Sequence, residues 1–181
     1  MPVYLDVPTF EYYPNPELKI RKILEPLNIT SILDVGAGHG GIFDCGFWTG
    51  NPEITRREAC DIFWIRDLPE NWTTKINVDV RKLDQHYQKD EFDFVQCCEV
   101  LEHVDDNRLA LEQLVRVAKK AVFISSADES HHWGPEQERI EQINEHQKYI
   151  CQPKIKDLLE LGFQTFVEHN ERKQIVAWLI K

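Results

Sequence analysis

The stretch ILDVGAGHG, residues 32–40, decides the fold of this chain. Its first four residues continue a mostly apolar run that begins at Ser31, and together they predict a short buried β-strand. The glycines that follow predict a tight turn, because glycine lets ligand atoms come close to backbone N–H groups at the start of a helix. Gly36, Gly38 and Gly41 also satisfy the dinucleotide fingerprint G-x-G-x-x-G, which is a weak signal when it stands alone.

Outward from this stretch, short apolar segments alternate with segments of helical periodicity. The predicted strands are residues 31–35, 57–63, 75–78, 92–98, 121–125, 163–169 and 174–180, and the predicted helices are residues 16–28, 109–117, 135–149 and 153–161. The turn between the last two strands is short enough for a β-hairpin. This order predicts an α/β fold, a Rossmann-like three-layer sandwich with a mostly parallel seven-stranded sheet and a C-terminal antiparallel hairpin. Glycines and a proline in residues 43–53 predict that the first crossover helix is short or replaced by a loop.

Length and composition predict one domain without a membrane segment. The 181 residues include 31 acidic and 21 basic side chains, and the formal charge of −10 disfavours binding to duplex nucleic acid. No apolar run approaches the roughly 18 residues that span a bilayer, and no signal-peptide pattern is present, so a cytoplasmic location is expected. The five cysteines include no CxxC pair, which is typical of reduced structural thiols. Four prolines predict an extended arm over residues 1–16, before a single domain over residues 17–181.

Four motifs together connect the chain to a known family. Residues 32–40 fit the pattern [VI]-L-D-[VIL]-G-x-G-x-G, Asp61 stands where a carboxylate ends the second strand, and Asp79 stands near the end of the third. Residues 91–104, EFDFVQCCEVLEHV, closely match F-D-x-V-x-x-x-E-V-L-E-H. In these motifs, and in their order over residues 30–126, the chain resembles the class I S-adenosylmethionine-dependent methyltransferases.

The resemblance implies a binding site for S-adenosylmethionine at the carboxyl edge of the sheet. It implies that Asp34 forms hydrogen bonds near the methionine end, that Asp61 binds both ribose hydroxyls, and that Asp79 lies beside the adenine. Glu99 ends the fourth strand, where ligands of open α/β sheets bind, and it is a site residue without an assigned role. The predicted cofactor-binding residues are Asp34, Gly36, Ala37, Gly38, Gly40, Asp61, Ile62, Asp79, Val80 and Glu99.

Histidines that follow the fifth strand are the candidates for acceptor chemistry. His131 and His132 lie after this strand, on the predicted cofactor edge, and an imidazole pKa near neutrality suits a general base. The same pair could instead position the substrate or lie in a solvated loop, and their spacing matches no metal signature, so no metal is expected. His146 belongs to an N-x-H feature that some small family members carry, which implies that it faces the active site. The predicted catalytic residues are therefore His131, His132 and His146.

The predicted function is transfer of a methyl group from S-adenosylmethionine to an oxygen or nitrogen, within enzyme class EC 2.1.1. A small-molecule acceptor is expected because no additional substrate domain is visible, and no feature indicates an oligomeric state. A catalytically silent module that binds the cofactor or a partner protein is the first alternative. A nicotinamide-dependent oxidoreductase is the second, although the EVLEH segment and the terminal hairpin argue against it. In the simplest structural interpretation, Asp34 caps the glycine turn, and Glu102 and His103 begin a helix.

Overall fold

A computed structural model describes residues 24–38, 50–63, 65, 70–127, 153–168 and 174–181 of the chain. Its strands are β1 Ser31–Val35, β2 Arg56–Asp61, β3 Thr73–Ile76, β4 Phe92–Cys98, β5 Ala118–Ala127, β6 Gln164–Glu168 and β7 Gln174–Ile180. Its α-helices are α1 Asn107–Val117 and α2 Ile155–Glu160, and 3-10 helices cover Glu25–Leu27, Val80–Gln85 and Leu101–His103. The predicted arm, most of the predicted helix 16–28 and the predicted helix 135–149 lie outside these residues.

The seven strands within the described residues form one sheet in the order β3-β2-β1-β4-β5-β7-β6. The pairs β1–β2, β1–β4, β2–β3 and β4–β5 are parallel, whereas β7 is antiparallel to both β5 and β6. The predicted α/β class, the mostly parallel sheet and the terminal antiparallel pair are therefore confirmed. The chain moves outward from β1 to β3 and then returns to place β4 on the other side of β1. This reversal opens a crevice at the carboxyl ends of β1 and β4, where open sheets of this kind bind ligands.

The carboxyl-terminal ends of the second and third strands differ from the prediction for local reasons, and β5 is longer at both ends than the predicted 121–125. The second strand ends at Asp61, two residues early, because the Asp61 carboxylate accepts a hydrogen bond from the Phe63 N–H at 2.9 Å and forms an Asx-turn. The third strand covers Thr73–Ile76 and stops before Asn77, whose φ of 64° lies in the left-handed region. That conformation cannot continue a strand, so the predicted extension to residue 78 was wrong.

Both faces of the sheet carry a hydrophobic core. One cluster joins Leu33 and Val35 of β1 to the buried stripe of α1, and it includes Cys97. The other joins Ile32 of β1 to residues near the N-terminal 3-10 helix, and it includes Cys98. The two adjacent thiols thus point to opposite faces, as the alternation of a strand requires. Because both faces are covered, β4 is buried along its whole length.

Helix α1 shows why the first of these clusters is stable. Its buried side chains include Ala110, Leu111, Leu114 and Val117, a spacing that puts them on one face of the helix. The Asp106 side chain caps the helix by accepting a hydrogen bond from the Leu109 N–H at 3.0 Å. Burying each large apolar side chain contributes about 1.5–3 kcal/mol. No helix in the described part of the chain is long and apolar enough to cross a bilayer.

Candidate functional site

The turn after β1 requires glycine at two positions. Gly36 has a φ of 75°, and a Cβ atom there would lie 2.2 Å from the Cγ2 atom of Val100. Gly38 has a φ of 47°, also in the left-handed region that disfavours other residues. The first position therefore needs glycine for space as well as for conformation. Val100 follows β4, so this contact joins the two connections that border the crevice.

The backbone amides of the turn are used within the protein. The N–H groups of Gly36 and Ala37 donate to the carbonyl of Cys60 at 2.8 and 3.1 Å, and the N–H of Gly38 donates to Asp61 Oδ2 at 2.9 Å. These bonds attach the turn to the end of β2. The expectation that glycine-turn amides face a ligand is not met at these three residues; a ligand there would meet glycine Cα atoms and the acids beside them.

Asp61 retains hydrogen-bonding capacity after these contacts. Its Oδ2 accepts from Gly38 and its Oδ1 accepts from Phe63, each at 2.9 Å. A carboxylate has about four acceptor positions, so each oxygen can accept one further hydrogen bond. The side chain is half-buried at the carboxyl end of β2. Its two oxygens can therefore receive two neighbouring hydroxyl groups at once.

Asp34 is a buried acid at the carboxyl end of β1. It is 8% exposed, and its partner across the sheet is Gln96 on β4. The pKa of Asp34 is raised to about 7. Burial is the main cause and the charge of Asp61 adds to it, whereas a hydrogen bond with Gln96 acts in the opposite direction. The carboxyl group therefore titrates near neutrality, and a cation in the crevice would favour its ionised form.

Asp79 has a different environment, which Arg81 dominates. The Asp79 Oδ1 accepts from the backbone N–H and the Nε of Arg81, and its Oδ2 accepts from the Arg81 guanidinium at 2.7 and 3.2 Å. Burial alone would raise the pKa of Asp79, but the hydrogen bonds from Arg81 hold it below its usual value. Arg81 also pairs with Asp105. A ligand that approached Asp79 would compete with this arginine.

Two acids after β4 are held by two serines of β5. Ser125 Oγ donates to Glu99 Oε1 at 2.9 Å, and the Glu99 N–H donates to the Ser125 carbonyl at 2.9 Å. Ser126 Oγ donates to Glu102 Oε2 at 2.8 Å, and Glu102 is 1% exposed. Glu99 has a φ of 53°, which is uncommon for a residue other than glycine and costs about 1–3 kcal/mol.

The apolar residues predicted at this edge separate into two environments. Ile62 is 40% exposed beside Phe63, which is 39% exposed, so a flat apolar ligand could pack there. Val80 is buried and belongs to the core, so its side chain faces the protein interior. The remaining predicted site residues, Gly40, His131, His132 and His146, lie outside the described residues.

Three contacts made by the predicted site residues were not predicted from the sequence. They are Gln96 opposite Asp34, Val100 against Gly36, and Arg81 on Asp79. A signal was available for Gln96, because it is a polar residue within the buried strand FDFVQCC. Val100 and Arg81 carried no comparable signal.

The chain is similar to a known protein family. A model of the methyltransferase domain family matches residues 11–165, which is most of the chain. The chain belongs to this family. It is a class I S-adenosylmethionine-dependent methyltransferase domain, and S-adenosylmethionine is its cofactor. Among curated proteins, none matches this sequence.

Solved structures share the fold of this methyltransferase domain at low sequence identity. The CurJ carbon methyltransferase is 17% identical, with a TM-score of 0.66, and the match covers 90% of this chain but 52% of CurJ. The chain thus spans about half the length of that structure. Magnesium protoporphyrin IX methyltransferase from Synechocystis PCC 6803, solved with bound SAH, is 15% identical, with a TM-score of 0.59 and coverage of 91% and 80%. An arsenic(III) methyltransferase from Chlamydomonas reinhardtii is 14% identical, with a TM-score of 0.53 and coverage of 84% and 64%.

The residues of the crevice fit this cofactor. S-adenosylmethionine carries a sulfonium, an ammonium, a ribose diol and an adenine ring. The methyltransferase domain offers a buried acid at Asp34, two carboxylate oxygens at Asp61 that can each accept one further hydrogen bond, and exposed apolar side chains at Ile62 and Phe63. At Gly38 the absence of a Cβ atom leaves space beside Asp61, whose Oδ2 would lie 4.0 Å from such an atom.

Proposed function

We propose that this methyltransferase domain transfers a methyl group to an oxygen or nitrogen atom of a small molecule. The observation that carries this proposal is the charge of the crevice. Carboxyl groups stand at or just after the ends of four neighbouring strands, β1, β2, β3 and β4, and the nearby Arg81 is engaged by Asp79 and Asp105. An acidic edge favours neutral or cationic acceptors over polyanions such as nucleic acid.

The cofactor-binding roles follow from the hydrogen-bonding capacity of each acid. Asp61 would accept hydrogen bonds from both ribose hydroxyls, because each of its oxygens holds one backbone partner. Asp34 would lie near the methionine end, beside Gly36, Ala37 and Gly38, where positive charge favours its ionised form.

The adenine would pack on an apolar surface near the end of β2. Ile62 and Phe63 are both exposed there, and burial of their surface would add to the binding free energy. Asp79 would contact the adenine amino group only by sharing its oxygens with Arg81, and Val80 would contribute through its backbone.

When bound, S-adenosylmethionine supplies a methyl carbon that the positive sulfur activates, so an acceptor lone pair can bond to that carbon while the carbon–sulfur pair stays on sulfur. The protein's task is then alignment and exclusion of water. His131, His132 and His146 remain the proposed general bases for an acceptor whose proton must be removed. Loss of a true general base would lower turnover by about 10²–10⁴-fold.

An isotope-transfer experiment tests the proposed function. Cell extract is separated into small-molecule, protein and nucleic-acid fractions, and each is incubated with the protein and S-adenosylmethionine that carries a deuterated methyl group. Label in the small-molecule fraction, on oxygen or nitrogen, is the expected result, and Asp61→Asn should abolish it. Label only in a macromolecular fraction would refute the proposed acceptor class. Binding of S-adenosylhomocysteine without any labelled product would support the silent module instead.

The histidines are then tested on the labelled acceptor. Each is replaced by alanine in turn, and turnover is measured at saturating cofactor. Unchanged turnover in all three variants would remove the proposed base.

A further inference from the structure

Glu99 is the site residue whose role the proposed cofactor contacts leave open. The acids that would bind the cofactor lie on β1, on β2 and after β3, whereas Glu99 follows β4 and is attached to β5. Its position relative to Asp34 can be read from the sheet register, and this position indicates which reactant Glu99 contacts.

Ser125 holds Glu99 on the Asp34 face of the sheet. Asp34 pairs with Gln96, and Cys98, two residues further along the same strand, pairs with Ser125. Because side chains of one strand alternate, Gln96 and Cys98 share a face, and Ser125 shares it with them. The hydroxyl of Ser125 and its carbonyl both bond to Glu99. The Glu99 carboxylate is therefore fixed on the face where Asp34 lies.

Glu99 is also displaced from Asp34 across the sheet. β4 separates β1 from β5, and neighbouring strands lie about 4.8 Å apart, so β1 and β5 are about 10 Å apart. Asp61 lies in the opposite direction, on β2. A cofactor whose ribose is held by Asp61 and whose methionine end lies by Asp34 would thus have Glu99 on its far side.

The backbone conformation at Glu99 supports a functional role for its carboxylate. A left-handed φ at a non-glycine residue is stabilised here by the two bonds to Ser125. Glycine would relieve the strain, yet the chain places a charged side chain there. The neighbouring pair, Glu102 and Ser126, points to the other face of the sheet and anchors the following 3-10 turn. The first pair fixes Glu99 itself, and the second fixes the turn that follows it.

We infer that Glu99 faces the position of the transferred methyl group from the acceptor side, and that it selects acceptors whose nucleophilic atom carries a proton beside its lone pair, such as neutral amines. This inference rests on the proposed function, since it takes the orientation of the cofactor from Asp61 and Asp34. A carboxylate in this position accepts a hydrogen bond from an acceptor N–H or O–H and repels a carboxylate or phosphate acceptor.

Two cofactor analogues that differ at the position of the methylated sulfur can distinguish the possible roles of Glu99. S-adenosylhomocysteine lacks the transferred methyl group, whereas sinefungin carries an ammonium-bearing carbon in place of the methylated sulfur. A carboxylate that faces the methyl position should strengthen binding of sinefungin relative to S-adenosylhomocysteine. A carboxylate that binds the methionine ammonium or the ribose should affect both analogues equally, because they share those groups.

Calorimetry on the full chain measures this difference. Both analogues are titrated into the wild type and Glu99→Gln, with Asp105→Asn as the control for loss of one negative charge near the same edge. We expect Glu99→Gln to keep its S-adenosylhomocysteine affinity within about twofold and to lose at least about tenfold in sinefungin affinity, the size of a charge-assisted hydrogen bond. The control should keep the wild-type ratio of the two affinities.

Two other outcomes of the titrations would overturn the inference. Equal loss of affinity for both analogues would make Glu99 a cofactor ligand and overturn the inference, and so would an unchanged ratio. Glu99→Gly, which suits the left-handed backbone, repeats the test if the glutamine variant is unstable. Absence of S-adenosylhomocysteine binding in the wild type would refute the proposed function itself, so the two failures are distinguishable.

Discussion

Replacing Asp34 with asparagine should stabilise the unliganded protein near neutral pH and weaken its binding of the cofactor. Asp34 is 8% exposed, and burial raises its pKa from 3.8 to about 7. Asparagine has nearly the same shape but no charge to desolvate, and it can still form a hydrogen bond with Gln96. The cofactor, in contrast, would lose a carboxylate beside its positive charges.

The size of the effect follows from linkage. One unit of pKa shift corresponds to about 1.36 kcal/mol, so a shift of about three units corresponds to about 4 kcal/mol. Between about pH 4 and about pH 7 the folded protein keeps a proton that the unfolded chain has released. The free energy of unfolding that this group contributes is therefore fully present at acid pH, declines as pH rises through this window, and becomes constant above it. Asparagine removes this decline.

Urea unfolding of the wild type and Asp34→Asn, measured from about pH 4 to about pH 9, tests the reasoning. The stability of the variant relative to the wild type should increase with pH and level off above about pH 7. Asp93→Asn is the matched control, because burial raises the pKa of Asp93 but the hydrogen bonds from Thr30 and the ion pair with Lys120 outweigh it and hold the pKa below the usual value. Its difference from the wild type should be a constant loss over the same range.

A stability difference for Asp34→Asn that does not change with pH would refute the raised pKa. Calorimetry with S-adenosylhomocysteine completes the test, and Asp34→Asn should bind about tenfold more weakly or worse. An unchanged affinity would remove Asp34 from the cofactor site.

Two further substitutions test the turn and the core. Gly36→Ala should cost at least about 1–2 kcal/mol in backbone strain alone, and its methyl group would displace Val100, so we expect lower thermal stability and loss of S-adenosylhomocysteine binding by calorimetry. Gly50→Ala is the control that should retain both, because a Cβ atom there would meet none of the described residues within 4 Å, and equal behaviour of the two variants would contradict the geometry. Leu114→Ala should lower the free energy of unfolding by about 2–5 kcal/mol in urea, because Leu114 is fully buried, whereas Leu159→Ala, at 57% exposed, should change it by less than about 0.5 kcal/mol. Similar losses for both leucines would show that the core is not where the structure places it.

Local sequence determined the identity of most elements. The runs SILDV and AVFIS, residues 31–35 and 121–125, predict strands, because side chains on a covered sheet must be apolar on both faces. The glycines after β1 predict the turn because two of them need a positive φ. The ends of β2 and β3 were less well predicted, since a side-chain bond at Asp61 and a left-handed Asn77 decided them.

The sequence by itself also placed Asp34 and Glu99 at strand ends, because a strand and its last residues are read along the chain, whereas the family resemblance placed Asp61 at a strand end. Only the tertiary structure decided what those acids contact. Gln96 reaches Asp34 from a strand 62 positions away, and Ser125 reaches Glu99 across 26 residues. Arg81 forms an ion pair with Asp79, although the sequence motif assigns that acid to the binding of the ligand. Such contacts depend on which strands become neighbours, and hydrophobic periodicity carries no information about strand order. The pKa of Asp34 and the orientation of Glu99 are therefore properties of the folded sheet.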